Sequence, residues 1–166
     1  MIIEEYRKKI THMNWADKRI WQQVLKSKDC ENDDYIRKML HHIHSVQNSF
    51  LQVFSNQPVK FTKLENFDSL QEIKIWCEKI YQEYLILLDT LTEEKLSEEI
   101  TIPWAKYFSR YSGVEAATTQ FSDAFEQVVY HSTYHRAQVN KRIRELNGEP
   151  IAVDYIAWIW FGKPNP

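Results

Sequence analysis

One segment constrains the fold more than any other. From Val114 to Asn147 the chain carries neither glycine nor proline, the two residues that most often interrupt helices. Val114, Ala117, Phe121, Ala124 and Val128 recur at three- and four-residue steps, and the same count leads to His131, His135 and Gln138. That spacing predicts one long helix, starting near Ser112 to Val114 and ending near Leu146. Asn147-Gly148 then supplies a stop, and Pro150 confirms it. The two histidines are expected on the helix face turned toward the core.

Two imidazoles on a buried stripe need partners, because an unpaired polar group in the interior is costly. A hydroxyl or carboxylate would satisfy one of them. A metal ion bridging this helix to another would satisfy both. The pair does not fit a zinc-protease helix, which reads His-Glu-x-x-His with glutamate as general base; here Ser132 follows His131. A carboxylate-bridged di-iron bundle requires two Glu-x-x-His motifs, and the sequence contains none.

The rest of the chain repeats the helical theme. Only 3 glycines and 5 prolines occur among 166 residues, which favours long helices and few loops. A first helix is expected over residues 2–27, with Ile3, Tyr6, Ile10, Met13, Ile20 and Val24 in register and Trp15 and Trp21 as bulk. Asp17 falls on the same stripe, an unusual place for a charge. It is read as a pocket-edge or helix-end carboxylate, or as a supporting group behind a metal site. Cys30 to Asn32 reads as a polar break, after which a second helix spans about Asp33 to Asn56, capped by Asn32 or Asp33. It contains His41-His42-Ile43-His44, of which periodicity turns His42 inward and sends His41 and His44 to the flanks or solvent. A third helix begins at Asp68 or Ser69, with Glu72 completing a capping signal, and carries Ile73, Trp76, Ile80, Tyr84, Leu87, Leu88 and Leu91. Cys77 lies beside that face as a packing residue.

Between Thr92 and Gly113 the helical pattern lapses, and Glu99 to Trp104 reads as extended. The expectation is therefore an all-α four-helix bundle, one domain over residues 1–166, with a short irregular or extended insert before the last long helix. Whether the order is simple up-down or carries a crossover stays open. The aromatic tail Tyr155-Ile156-Ala157-Trp158-Ile159-Trp160-Phe161 must dock on the body or on a second subunit, since in water it would expose a large apolar patch.

A formal charge of −2 with interspersed signs offers no basic face, so nucleic acid is not an expected partner. No apolar run is long enough for a membrane span, and the N-terminus lacks a signal-peptide pattern. Cys30 and Cys77 form no Cys-x-x-Cys, as for reduced thiols of a cytoplasmic protein.

Four separated elements resemble the DinB-like (DinB/YfiT-like) superfamily. They are Asn14-Trp15-Ala16-Asp17; His42-Ile43 with Gln47 and Phe50; His131-Ser132-Thr133-Tyr134-His135-Arg136-Ala137-Gln138; and Gly148-Glu149-Pro150 with Asp154-Tyr155-Ile156. Gln47, Phe50 and Ala137 depart from the usual glutamate, tryptophan and glycine. The third element is specific, the others individually weak. The resemblance implies a bundle in which one histidine of the second helix and two of the fourth hold a divalent metal, here His42, His131 and His135. Three imidazoles leave coordination positions open, as in a catalytic site. Zinc or nickel is the expected ion, although imidazole also suits iron and copper. Tyr134, Arg136 and Gln138, with Asp17, would orient the ligands from behind. Superfamily members include transferases that use low-molecular-weight thiols such as bacillithiol. The resemblance thus implies a metal-dependent enzyme moving such a thiol onto a small electrophile, or else a non-catalytic metal- or ligand-binding protein of stress response. It also implies a homodimer acting on a small-molecule substrate.

Overall fold

A computed structural model describes residues 2–165. Among the described residues the chain is overwhelmingly helical, and the elements follow in order. Helix α1 spans Ile2–Val24, the single-turn α2 Lys28–Glu31, α3 Asp34–Phe54, α4 Leu70–Thr90 and the single-turn α5 Glu93–Leu96. Strand β1 is Glu99–Ile100, α6 Ala105–Ser112, β2 Thr119–Gln120, α7 Phe121–Glu145 and α8 Tyr155–Trp160. A 3-10 turn covers Leu64–Asn66.

Four long helices, α1, α3, α4 and α7, make the bundle. α7 packs between α1 and α3, and α4 closes the ring on the other side of both. Side-chain pairs give the directions. Lys9 meets Glu126 and Asp17 meets Arg136, so α1 and α7 run parallel. Asp33 meets Arg142 and Gln47 meets Ser132, so α3 and α7 are antiparallel. Arg7 on Asp89 places the start of α1 beside the end of α4, so these two are antiparallel. The order is up-down-down-up. A crossover must therefore carry the chain from the end of α3 back to its beginning. Residues 55–69 do this by lying along α3: Gln52 bonds Lys60, His41 bonds the Thr62 carbonyl, and Arg37 bonds the Phe67 carbonyl.

Local chemistry sets the helix ends. Asp33 accepts from the Ile36 N–H at 2.9 Å and caps α3, while Ser69 accepts from Glu72 and Glu72 reaches back to the Asp68 N–H. Asn147 takes a left-handed φ of 60° after α7, and the Gly148 N–H returns to the Ile143 carbonyl at 2.9 Å. A Cβ at Gly148 would stand 2.8 Å from the Ile143 side chain, so glycine there serves close approach. Asn56 ends α3 in the same left-handed way.

Three sequence expectations change. The last long helix begins at Phe121, because residues 114–118 are irregular and Val114 is 66% exposed. The insert holds the expected extended piece, β1, paired antiparallel to β2, but also α6, whose mixed aromatic and charged sequence hid its period. Cys30, read as part of a polar break, is buried in α2. The tail docks on the body: Trp158 is 2% exposed beside Trp15 and Ala16, and its indole donates to the Pro164 carbonyl.

The interior is layered. One apolar cluster joins Ile10, Phe54, Tyr84, Phe121 and Phe125. The other joins Trp21, Ile36, Leu40, Ile73 and Ile143. At the level between them α1, α3 and α7 contribute Asp17, His44, Gln47, Ser132 and Arg136, all buried.

Candidate metal centre

Helix α3 contributes His42 and α7 contributes His131 and His135. The two α7 residues are four apart, one turn along one face. The antiparallel register of α3 and α7 brings His42 opposite both. Its ring centroid lies 4.9 Å from that of His131 and 4.6 Å from that of His135, and the two α7 rings are 4.3 Å apart. One ligand nitrogen from each ring lies within 4.8 Å of the other two.

The cluster does not sit on the core face of α7. The buried stripe runs Val128, Ser132, Arg136, Val139, and the two histidines are half-buried on its flank. Phe121, Ala124 and Val128 do lie on the buried stripe, but its next step is four residues to Ser132 rather than three to His131, so the count left the stripe by one position after Val128. On α3 the assignments reverse as well. His42 is exposed, His41 is half-buried and His44 is wholly buried. A histidine that must meet two others across a groove belongs at the groove's rim, not beneath it.

The donor chemistry fits a metal ion. His42 Nε2 and His131 Nε2 are 3.2 Å apart, and two ligands at about 2.0–2.1 Å with that separation subtend about 100° at an ion. That angle is reasonable for tetrahedral or octahedral coordination. Gln138 Oε1 lies 2.8 Å from His135 Nδ1 and can only accept, so the proton sits on Nδ1 and the Nε2 lone pair is free. His131 Nδ1 is buried with no hydrogen-bond partner. Burial first, and then the neighbouring imidazoles, push His42 below its ordinary range and His131 down to about 4. Both rings are therefore neutral at pH 7, the state in which imidazole ligates metals.

Behind the cluster lies a polar layer with a different character. The Trp21 indole donates to His44 Nε2 at 3.0 Å, so His44 carries its proton on Nδ1 and donates to Gln47 Oε1 at 2.8 Å. Gln47 then donates to Asp17 at 2.9 Å and to Ser132 at 3.1 Å. Asp17 also accepts from Arg136 at 2.8 Å, and Arg136 donates to Thr133. The Tyr84 hydroxyl donates to the Gln47 carbonyl, so Gln47 bonds to α1, α4 and α7 from its place on α3. Asp17, His44 and Cys77 lie close enough to hold an ion together, yet both His44 nitrogens are engaged and burial holds the Cys77 thiol well above its ordinary range. Their chemistry is that of a closed network.

Each residue singled out in the sequence thus has a definite place. His42, His131 and His135 converge, and Gln138 bonds His135. Tyr134 is 64% exposed with its ring 5.0 Å from that of His135. Arg136 and Asp17 bond each other in the layer beneath rather than touching the histidines. Sequence reasoning missed His44, Trp21 and Ser132 as members of that layer. Asp17 on an apolar stripe was the one signal that a buried cation waited elsewhere in the chain.

The family whose model matches this chain is described as the DinB family, and the match covers residues 7–164, nearly the whole length. No curated protein matches it. Among the described residues no helix is long and apolar enough to cross a membrane.

Proposed function

The chain belongs to the DinB family, and from that premise we propose that His42, His131 and His135 bind one divalent metal ion, zinc or nickel, in an enzyme that transfers a low-molecular-weight thiol to a small electrophile. The observation that carries the reading is three imidazoles converging between α3 and α7, with a His42–His131 separation of 3.2 Å that is compatible with two ligands of one ion. Three protein ligands leave room for an exogenous group, as catalytic sites do.

A bound divalent ion would supply charge that favours thiolate over thiol, and the thiolate is the nucleophile. The protein's own part is orientation. Gln138 holds the His135 ring with its Nε2 lone pair outward, and the buried layer fixes α7 against α3. In the transfer, the sulfur lone pair forms a C–S bond to the electrophilic carbon. The bond from that carbon to the leaving group breaks, its electron pair departs with the leaving group, and the thiol proton passes to solvent. The cluster of described residues contains imidazoles and no carboxylate, so with an ion bound, activation of the nucleophile would fall to it rather than to a general base.

Metal analysis of protein purified without affinity tag or chelator tests the first half. About one ion per chain, absent from His135→Ala, is the expected result. Turnover of a low-molecular-weight thiol with an electrophile, dependent on that ion, tests the second. Metal bound without turnover would leave a metal-binding protein of stress response. A chain that neither carries nor takes up zinc or nickel would remove the reading.

A further inference from the structure

Two separate cavities lie along α3 and α7 on either side of the histidines, and they differ in chemistry. Toward the start of α3, the cavity beside Gln138 is polar, lined by Tyr35, Lys141, Arg142 and Glu145. Toward the end of α3, a cavity of about 270 Å³ is walled by Phe50 and Ala124, with Trp104 and Phe108 folded over it from α6 and its approach. Gln127 lines it on the side nearer the cluster and precedes His131 by one turn, an axial distance of about 6 Å. Phe50 follows His42 by two turns, about 12 Å along the helix. The cavity therefore begins roughly one helical turn from the three imidazoles and extends about another turn away from them.

Its walls define what it can hold. Phe50 and Trp104 meet edge to face with centroids 4.9 Å apart, a built aromatic corner rather than a chance gap. Among the described residues its only charged lining group is the carboxylate of Asp123, with no cation in the wall. An anion would meet that carboxylate unpaired and would lose its hydration to aromatic faces, both unfavourable. A flat, uncharged molecule loses little water and gains contact on three sides. The volume lies near the lower end of the range for small-molecule sites.

We propose that this cavity is a binding site for an uncharged aromatic or short-chain apolar small molecule. Resting on the thiol-transfer reading above, that molecule is the acceptor, its carbon skeleton under α6 and its reactive end toward Gln127 and His131. The polar cavity beside Gln138 is left to the thiol partner.

The test uses 4-nitrobenzyl alcohol, an unreactive uncharged aromatic, against the anionic 4-nitrobenzoate, titrated calorimetrically into full-length protein with and without zinc. The alcohol is expected to bind with or without zinc, and the benzoate at least about tenfold more weakly. Phe108 is 63% exposed, so its substitution should leave the fold intact, which circular dichroism checks. Phe108→Glu should weaken the alcohol about tenfold, and Phe108→Leu should restore it. No binding of the alcohol, equal binding of both probes, or indifference to Phe108→Glu would overturn the proposal. Alcohol binding that persists in a chain unable to take up metal would retain this site while removing the metal-dependent function, so the two fail separately.

Discussion

Two polar clusters lie at the same height in the bundle, back to back on α3 and α7, and they follow opposite rules. In the inner one, Asp17, His44, Gln47, Ser132 and Arg136 exchange hydrogen bonds in a fixed direction, from the Trp21 indole to the carboxylate, although the buried Arg136 Nε has no partner. In the outer one, His42 and His131 turn nitrogens toward each other, and His131 Nδ1 has no partner at all. The residues alternate along one helix: His131 and His135 look outward while their neighbours Ser132 and Arg136 look inward. A closed network spends its lone pairs on specifying one packing. An open cluster leaves them available. On the metal-binding reading proposed above, the comparison separates packing from ligand binding within a few residues of sequence.

The largest expected effect comes from breaking the inner cluster. Arg136→Met leaves the Asp17 carboxylate buried beside Gln47 without its cation, and losing one partner of a buried ion pair costs about 3–5 kcal/mol. Urea unfolding of the metal-free protein measures it. His135→Ala, removing a half-buried ring from the rim, should cost clearly less in the same measurement. Equal losses would erase the distinction between the clusters. Acid should act on both. Burial holds His44 below its ordinary range and His131 at about 4, so the unfolded chain binds more protons in the window from about 6.5 down to 4. Stability of the metal-free protein is then expected to be full above about pH 6.5 and to decline as the pH falls through that window. A stability that rises on acidification would contradict the neutral, buried state of these rings.

Metal addition sharpens the comparison from the other side. An ion that binds only the folded chain stabilises it by about 2.7 kcal/mol at a hundredfold excess over Kd. Thermal unfolding with zinc should show that gain in the wild type and lose it in His42→Ala. Arg136→Met, though much less stable, should still gain from zinc. Failure of the gain in Arg136→Met alone would mean that the inner layer sets the geometry of the outer one, not only its stability.

Much of this was legible in the sequence because helices advertise their faces. The bundle, the caps at Asp33 and Ser69 and the stop at Asn147-Gly148 rest on local chemistry and follow from neighbouring residues. The convergence of His42 with His131 and His135 is written in the separated motifs, but not in periodicity, which placed His42 inward and His44 outward. A one-position error in phase is enough to exchange rim and core on a helix. The parallel pairing of α1 with α7 also escaped, since direction depends on the crossover along residues 55–69, whose anchors are backbone carbonyls that any residue could supply.

The smallest effect tests whether the outer cluster is as independent as the comparison holds. The Gln138 side chain accepts from His135 Nδ1 at 2.8 Å and makes no other hydrogen bond among the described residues, so it touches the rim and not the inner layer. Replacing such an orienting partner behind a ligating histidine commonly costs about 10–100-fold in metal affinity. Gln138→Ala removes the acceptor from a half-exposed side chain, where water can take its place, so the low end, about tenfold, is expected. Competition with a coloured chelator measures it, and unfolding of the metal-free variant should stay close to wild type. If stability fell while affinity held, Gln138 would belong to the fold, and the division between a sealed interior and an open rim would have to be drawn one helical turn further out.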